Sequence, residues 1–147
     1  MHEILDENST ARLLSRSSNL MKKKLAVDLA DYDISPEQWA ILTRAQAMEG
    51  SNQKNLAETS SKDRAAVTRI LNILEDKGLV ERKHSSCDKR EFLIYLTSDG
   101  HKMYKETSVI ISESLKEINS ILDPAELKHM RQSLIKLISN LENFTEK

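Results

Sequence analysis

Residues with reactive or charged side chains at a meaningful spacing are few in this chain, and they gather in one stretch. Arg64, Ala65, Thr68, Arg69 and Asn72 recur at the spacing that places them on one side of a helix. That side is polar and basic, with a small residue where a close approach would be needed. Such residues reach base edges and phosphate oxygens when a helix lies in a major groove; they also fit an ordinary exposed helix face. Between positions 82 and 90, Arg82, Lys83, Lys89 and Arg90 stand against Asp88 alone, whereas the first ten residues carry Glu3, Asp6 and Glu7 and no Lys or Arg. Local positive charge of this kind is what phosphate neutralisation requires, although a solvated hairpin tip has the same composition. The net charge of −1, taken as a sum, argues mildly against a nucleic-acid partner; its distribution argues for one. Other chemistries lack their residues. There is no phosphate loop and no convergent nucleophile and base, and His2, His84, His101 and His129 are scattered without metal-ligand spacing. The expectation is a protein that is not an enzyme and that holds neither metal nor cofactor.

The elements that position these residues run from Asn55 to Thr97. A short helix over Asn55–Thr59 is followed by a break at Ser60 and Ser61, then by a longer helix from Lys62 to about Lys77. Ser61 is the expected N-cap of that helix, and Asp63 in its first turn suits the positive end of the helix dipole. Val67, Ile70, Leu71 and Leu74 repeat at three and four and face a core. Gly78 stops the helix, and the period then changes from 3.6 toward 2. Leu79–His84 and Phe92–Thr97 are rich in strand formers around a polar tip, which predicts a β-hairpin of about six residues a side. A two-stranded hairpin is marginal alone, so it must pack on the helices, with Ile94 and Leu96 as anchors. Two helices followed by a hairpin with a basic tip outline a winged helix-turn-helix.

The rest of the chain reads as support for that lobe. A long helix is predicted from about Thr10 to Ala30, with Leu13, Leu14, Leu20, Met21 and Leu25 as a broken stripe. Ser35, Pro36 and Gln38 form an N-cap, first-turn proline and capping box for a helix reaching about Met48, in which Trp39, Leu42 and Ala45 face inward. Thr97 or Ser98 caps another helix that runs to Leu122. Asp123 caps the last one, where Leu127, Met130, Leu134, Leu137 and Leu141 make a heptad-like seam. These outer helices carry more apolar surface than a lobe this small needs, and their natural partner is a second copy in a two-fold homodimer. The expected division is a helical dimerisation region over 1–34 and 98–147 and a winged helix-turn-helix lobe over 35–97. At 147 residues, with 31% charged and 39% hydrophobic residues, the composition is that of a helix-rich globular protein. No apolar run approaches a membrane span, and Met1 to Glu7 lack the basic start and apolar core of a signal peptide. One cysteine, Cys87, cannot form an internal disulfide, which makes a reducing cytoplasm the expected compartment.

The runs Leu56-Ala57-Glu58, Val67 to Arg82, Asp88-Lys89-Arg90 and Leu96-Thr97 together resemble the MarR/SlyA family of bacterial winged-helix transcriptional regulators. The resemblance covers nearly the whole chain in element order. It implies a mainly α fold with a small β-hairpin wing, DNA as partner, and repression of genes that is often relieved by small phenolic or other anionic ligands. It also implies roles: the helix after Ser61 as recognition helix, with Arg64, Thr68 and Arg69 as contacts and Ser61 near a phosphate, and Arg90 as the wing-tip arginine of the minor groove, beside Lys89. Asp88 would orient that arginine, since a narrow minor groove favours a guanidinium and a nearby carboxylate can hold the fork; a plain surface ion pair is the alternative. Family ligands sit between the dimer helices and the lobe, which here points to Tyr32 and Trp39 as a candidate pocket. Peroxide-sensing members use a cysteine in the first helix, which this chain lacks; Cys87, in the wing among basic groups, is a candidate redox residue or an inert surface thiol. A winged-helix module that binds protein instead of DNA is the remaining rival.

Overall fold

The structure, a computed structural model, describes residues 6–60 and 62–146. Helix α1 spans Thr10–Asp28 and is followed by a 3-10 turn over Ala30–Tyr32. Then come α2 (Pro36–Ala47), α3 (Gln53–Thr59), α4 (Arg64–Asp76), the strands β1 (Val80–His84) and β2 (Phe92–Leu96), α5 (Ser98–Asn119) and α6 (Pro124–Thr145). The chain divides into two compact units, residues 1–111 and 112–147, with the boundary inside α5. Among the described residues no helix is long and apolar enough to cross a membrane.

Local chemistry sets most element ends. At α2 the capping box forms as expected: Ser35 Oγ accepts the Gln38 backbone N–H at 3.1 Å and Gln38 Oε1 accepts that of Ser35 at 3.2 Å. At α4 the cap differs from expectation. Asp63 is the N-cap, its carboxylate accepting the Ala66 N–H at 2.7 Å, so the helix begins at Arg64 and not at Lys62. An aspartate there satisfies one of the orphan backbone N–H groups of the first turn and suits the positive end of the helix dipole. Ser61, the expected cap, lies outside the described residues. The C-terminus of α4 closes in a Schellman motif. Gly78, at φ +72°, donates to the Glu75 carbonyl at 2.9 Å, and Leu79 donates to that of Leu74 at 2.9 Å.

That motif shortens the hairpin. With its N–H committed to α4, Leu79 keeps only its carbonyl for the facing chain, where it accepts the Thr97 N–H at 3.1 Å, and the strands hold five residues each, in register from Val80 opposite Leu96 to His84 opposite Phe92. The outer edge of β2 is also occupied. Gly50 donates to the Ile94 carbonyl at 2.8 Å, Ile94 donates to that of Ser51 at 2.9 Å, and Asn52 bridges Leu93. This extra rung, together with packing on the helices, supports a hairpin that would be marginal alone.

The core of the first unit contains Ile41, Leu42 and Ala45 of α2, Leu56 of α3, Val67, Ile70, Leu71 and Leu74 of α4, and Ile94 and Leu96 of β2. These include the marked positions of α4 and β2 and, in α2, Leu42 and Ala45. Trp39 is half-buried, and its indole N–H donates to the hydroxyl of the fully buried Thr107 on α5 at 2.9 Å. The start of α5 comes so close to the residue before β1 that a Cβ on Gly100 would stand 1.9 Å from the Leu79 carbonyl oxygen. By contrast, α1 buries no residue and exposes Leu13, Leu14, Leu20, Met21 and Val27. In the second unit α6 likewise buries none. Of its expected seam, Leu127 and Leu134 are half-buried while Met130, Leu137 and Leu141 are exposed, as are Ile135, Ile138 and Phe144.

Candidate nucleic-acid interface

On α4 the apolar stripe faces the core, which leaves Arg64, Ala65 and Arg69 exposed on the other side and Thr68 half-buried between them. Thr68 is less available than its position suggests. Its hydroxyl donates to the Arg64 carbonyl at 2.9 Å and accepts from Gln53 Nε2 on α3.

The wing tip is a closed turn. The Ser85 N–H donates to the Glu91 carbonyl at 2.9 Å, and the Glu91 N–H donates to the Asp88 carbonyl at 3.0 Å. Asp88 Oδ1 accepts the backbone N–H of Arg90 at 2.9 Å. Asp88 therefore acts on the backbone beneath Arg90 and not on the guanidinium fork, because an Asx carboxylate most readily reaches the amide two residues on. Asp88, Lys89 and Arg90 all remain exposed. The Asn52 side-chain amide donates to Glu91, tying the tip to the segment before α3. An open cleft of about 390 Å³ lies between helix and wing, and its lining includes both Arg64 and Arg90.

Arg82, one of the four cations counted at the hairpin, turns inward. Its side chain is 15% exposed, and its guanidinium donates to Glu75 at 3.0 Å, to Asn72 at 2.9 Å and to Gln53 at 3.5 Å. Asn72, grouped with the polar face of α4, is thus an acceptor for Arg82. Lys83 lies 4.9 Å above the Tyr95 ring and 3.2 Å from Glu81. Neither Gln53 nor Glu75 stood out in the sequence, since nothing local marks a pair that meets across two elements.

Cys87 is exposed at the tip, with its N–H bonded to Ser85 Oγ at 3.2 Å and its sulfur 3.9 Å from Ser86 Oγ. Tyr32 is half-buried in the 3-10 turn, and Trp39 is anchored by Thr107.

Residues 34–92 match the profile of the MarR family. The organic hydroperoxide resistance transcriptional regulator of Bacillus subtilis (strain 168) is 30% identical over 135 residues, 92% of this chain and 90% of that protein. The chain belongs to the MarR family. Its fold matches a cysteine-to-serine mutant of E. coli MarR in complex with operator DNA at a TM-score of 0.82 and 26% identity, over 86% of this chain and 91% of that one. It matches the MepR–DNA complex of S. aureus at a TM-score of 0.84 and 28% identity, over 92% and 99% of the two chains. The hairpin and helices described above are those of a MarR winged helix, and MarR-family members are transcriptional regulators, not enzymes.

Proposed function

We propose that this MarR-family regulator is a homodimeric repressor of a roughly palindromic operator, with α4 of each protomer in a major groove and each wing tip in a flanking minor groove. The observation that carries the reading is that Arg64 of α4 and Arg90 of the wing line one cleft, so helix and wing offer cations to the same stretch of duplex. Arg64, Thr68 and Arg69 are the contacts assigned to the major groove, with Ser61 and Lys89 at phosphates and Arg90 in the minor groove, above the turn that Asp88 holds. The relatives named above that are solved with DNA support this assignment.

Dimerisation is assigned to 1–34 and 98–147, and the DNA lobe to 35–97. Two helices without a buried residue, α1 and α6, support a second copy as the missing cover. A two-fold dimer would set the recognition helices about 10 base pairs apart. Release by a small anionic or phenolic ligand near Tyr32 and Trp39 completes the reading. Such a ligand acts only by binding the spacing of the two lobes that cannot grip DNA more tightly than the one that can. The cytoplasm, where DNA is met, is the assigned compartment.

The test is selection from pooled random duplexes at two salt concentrations, followed by sequencing of what is retained. A palindrome with half-sites one helical turn apart is the expected result. Weak binding that shows neither motif nor salt dependence would reassign this face to a protein partner.

A further inference from the structure

We propose that Arg82 is a positioning residue of this interface: it latches the wing to the recognition helix without touching DNA. This inference rests on the DNA-binding reading above. Arg82 sits in β1, at the root of the wing, opposite Ile94 of β2. From there its guanidinium reaches Glu75 and Asn72 on α4 through separate nitrogens, and Gln53 on α3 through the nitrogen that also serves Asn72. One side chain thus joins the strand to both helices of the helix-turn-helix.

The network continues to the exposed face. The Gln53 amide accepts from Arg82 through its oxygen and donates to Thr68 through its nitrogen. Arg82 and Thr68 thus favour the same orientation of that amide, oxygen toward the guanidinium and nitrogen toward the hydroxyl. A planar guanidinium suits this task, because its donors diverge in a fixed fork, whereas a lysine ammonium is a point charge on a flexible stem. With 15% of the side chain exposed and its donors directed at protein acceptors, Arg82 is poorly placed to meet a phosphate. Arg64 and Arg90 are exposed and meet across a cleft, so their separation depends on the angle between wing and helix, which Arg82 sets.

A direct contact and a latch leave different signatures. Losing a phosphate contact lowers the slope of log affinity against log salt by about one, whereas losing a latch weakens binding with the slope intact. The experiment measures affinity of the full chain for the selected duplex over a salt series, for wild type, Arg82→Met, Arg82→Lys and Arg90→Ala. Arg82→Met is expected to weaken binding about tenfold, the scale of losing a set of charge-assisted hydrogen bonds, at the wild-type slope. Arg82→Lys is expected to stay weak although it restores the charge, and Arg90→Ala to lose slope. A slope reduced by about one in Arg82→Met, or recovery in Arg82→Lys, would make Arg82 a phosphate contact and overturn the latch; unchanged affinity overturns it as well.

If Arg82→Met does not fold, Glu75→Ala, which leaves the bonds to Asn72 and Gln53 in place, carries the test. It should weaken binding by about threefold at unchanged slope and speed amide exchange in β1 and β2 relative to the core of α4. Wild-type affinity with wild-type exchange would overturn the proposal. Failure of the wild-type protein to retain any duplex refutes the regulator reading itself, whereas strong wild-type binding with indifferent Arg82 variants refutes only the latch.

Discussion

At the scale of single residues, two glycines in this fold are required for different reasons. Gly78 sits at φ +72° with open space where a Cβ would go, so Gly78→Ala incurs only the left-handed backbone penalty, about 1 kcal/mol. Gly100 is helical, and alanine there would ordinarily be favourable, yet its Cβ would lie 1.9 Å from the Leu79 carbonyl oxygen, a backbone atom. Gly100→Ala should therefore cost about 1–3 kcal/mol or more through overpacking. Urea unfolding of both variants checks this, and a Gly100→Ala milder than Gly78→Ala would refute the packing account. Arg90 poses a question of charge instead of shape. Exposed above a turn that Asp88 holds by the backbone, it should lose about one unit of salt slope, and affinity for all sequences, on replacement by alanine. A salt series on the selected duplex reads that directly, and an unchanged slope removes the wing from the interface.

At the scale of elements, two carboxylate caps hold the helices that matter most. Asp63 starts the recognition helix by accepting from Ala66, so Asp63→Ala should destabilise the fold by about 1 kcal/mol, with Asp63→Asn close to neutral. Thermal unfolding compares the two, and equal losses would show that the cap bond is not the cause. Asp123 does the same for α6. The Glu126 backbone N–H, helped by the Glu126 side chain and the Ala125 N–H, holds its carboxyl below the ordinary 3.8 against the opposing effect of burial. A depressed carboxyl contributes stability that is present above the unfolded value of 3.8 and is lost as pH falls through the lower folded one. The stability gap between wild type and Asp123→Ala should thus be constant at neutral pH and shrink on acidification below about 3.8. A gap that persists at still lower pH would assign it to helix propensity alone.

At the scale of the molecule, the outstanding demand is for cover. Helix α1 has 19 residues and α6 has 22, and neither buries one. Apolar faces of that length on a single chain mark an association surface. Ile138→Glu together with Leu141→Glu, both at exposed positions of α6, should shift the protein from dimer to monomer in sedimentation equilibrium. Affinity for a palindrome should drop steeply with it, since each monomer grips one half-site and loses the effective concentration of its twin. A dimer that survives both charges would place the interface elsewhere.

Features that depend on near neighbours were legible in the order of residues alone. The capping box of Ser35, Pro36 and Gln38, the stop at Gly78, the stripe of Val67, Ile70, Leu71 and Leu74, and the switch of period at the hairpin are all set within a turn or two of chain. Steric and hydrogen-bonding preferences at that range are written in residue type and spacing. The cap of α4 is not decided by residue type, because Ser61 and Asp63 are equally good cap residues two positions apart, and Asp63 takes the role. Packing of the elements against one another settled which polar groups face outward. Arg82 and Arg90 look alike in sequence, yet one is spent on Glu75, Asn72 and Gln53 while the other stays exposed. The bond from Trp39 to Thr107, the rung from Asn52 to Leu93 and the contact of Gly100 with Leu79 likewise join residues distant in the chain or across elements. No local pattern encodes such partners, because a buried donor takes whichever acceptor the packed elements bring within reach.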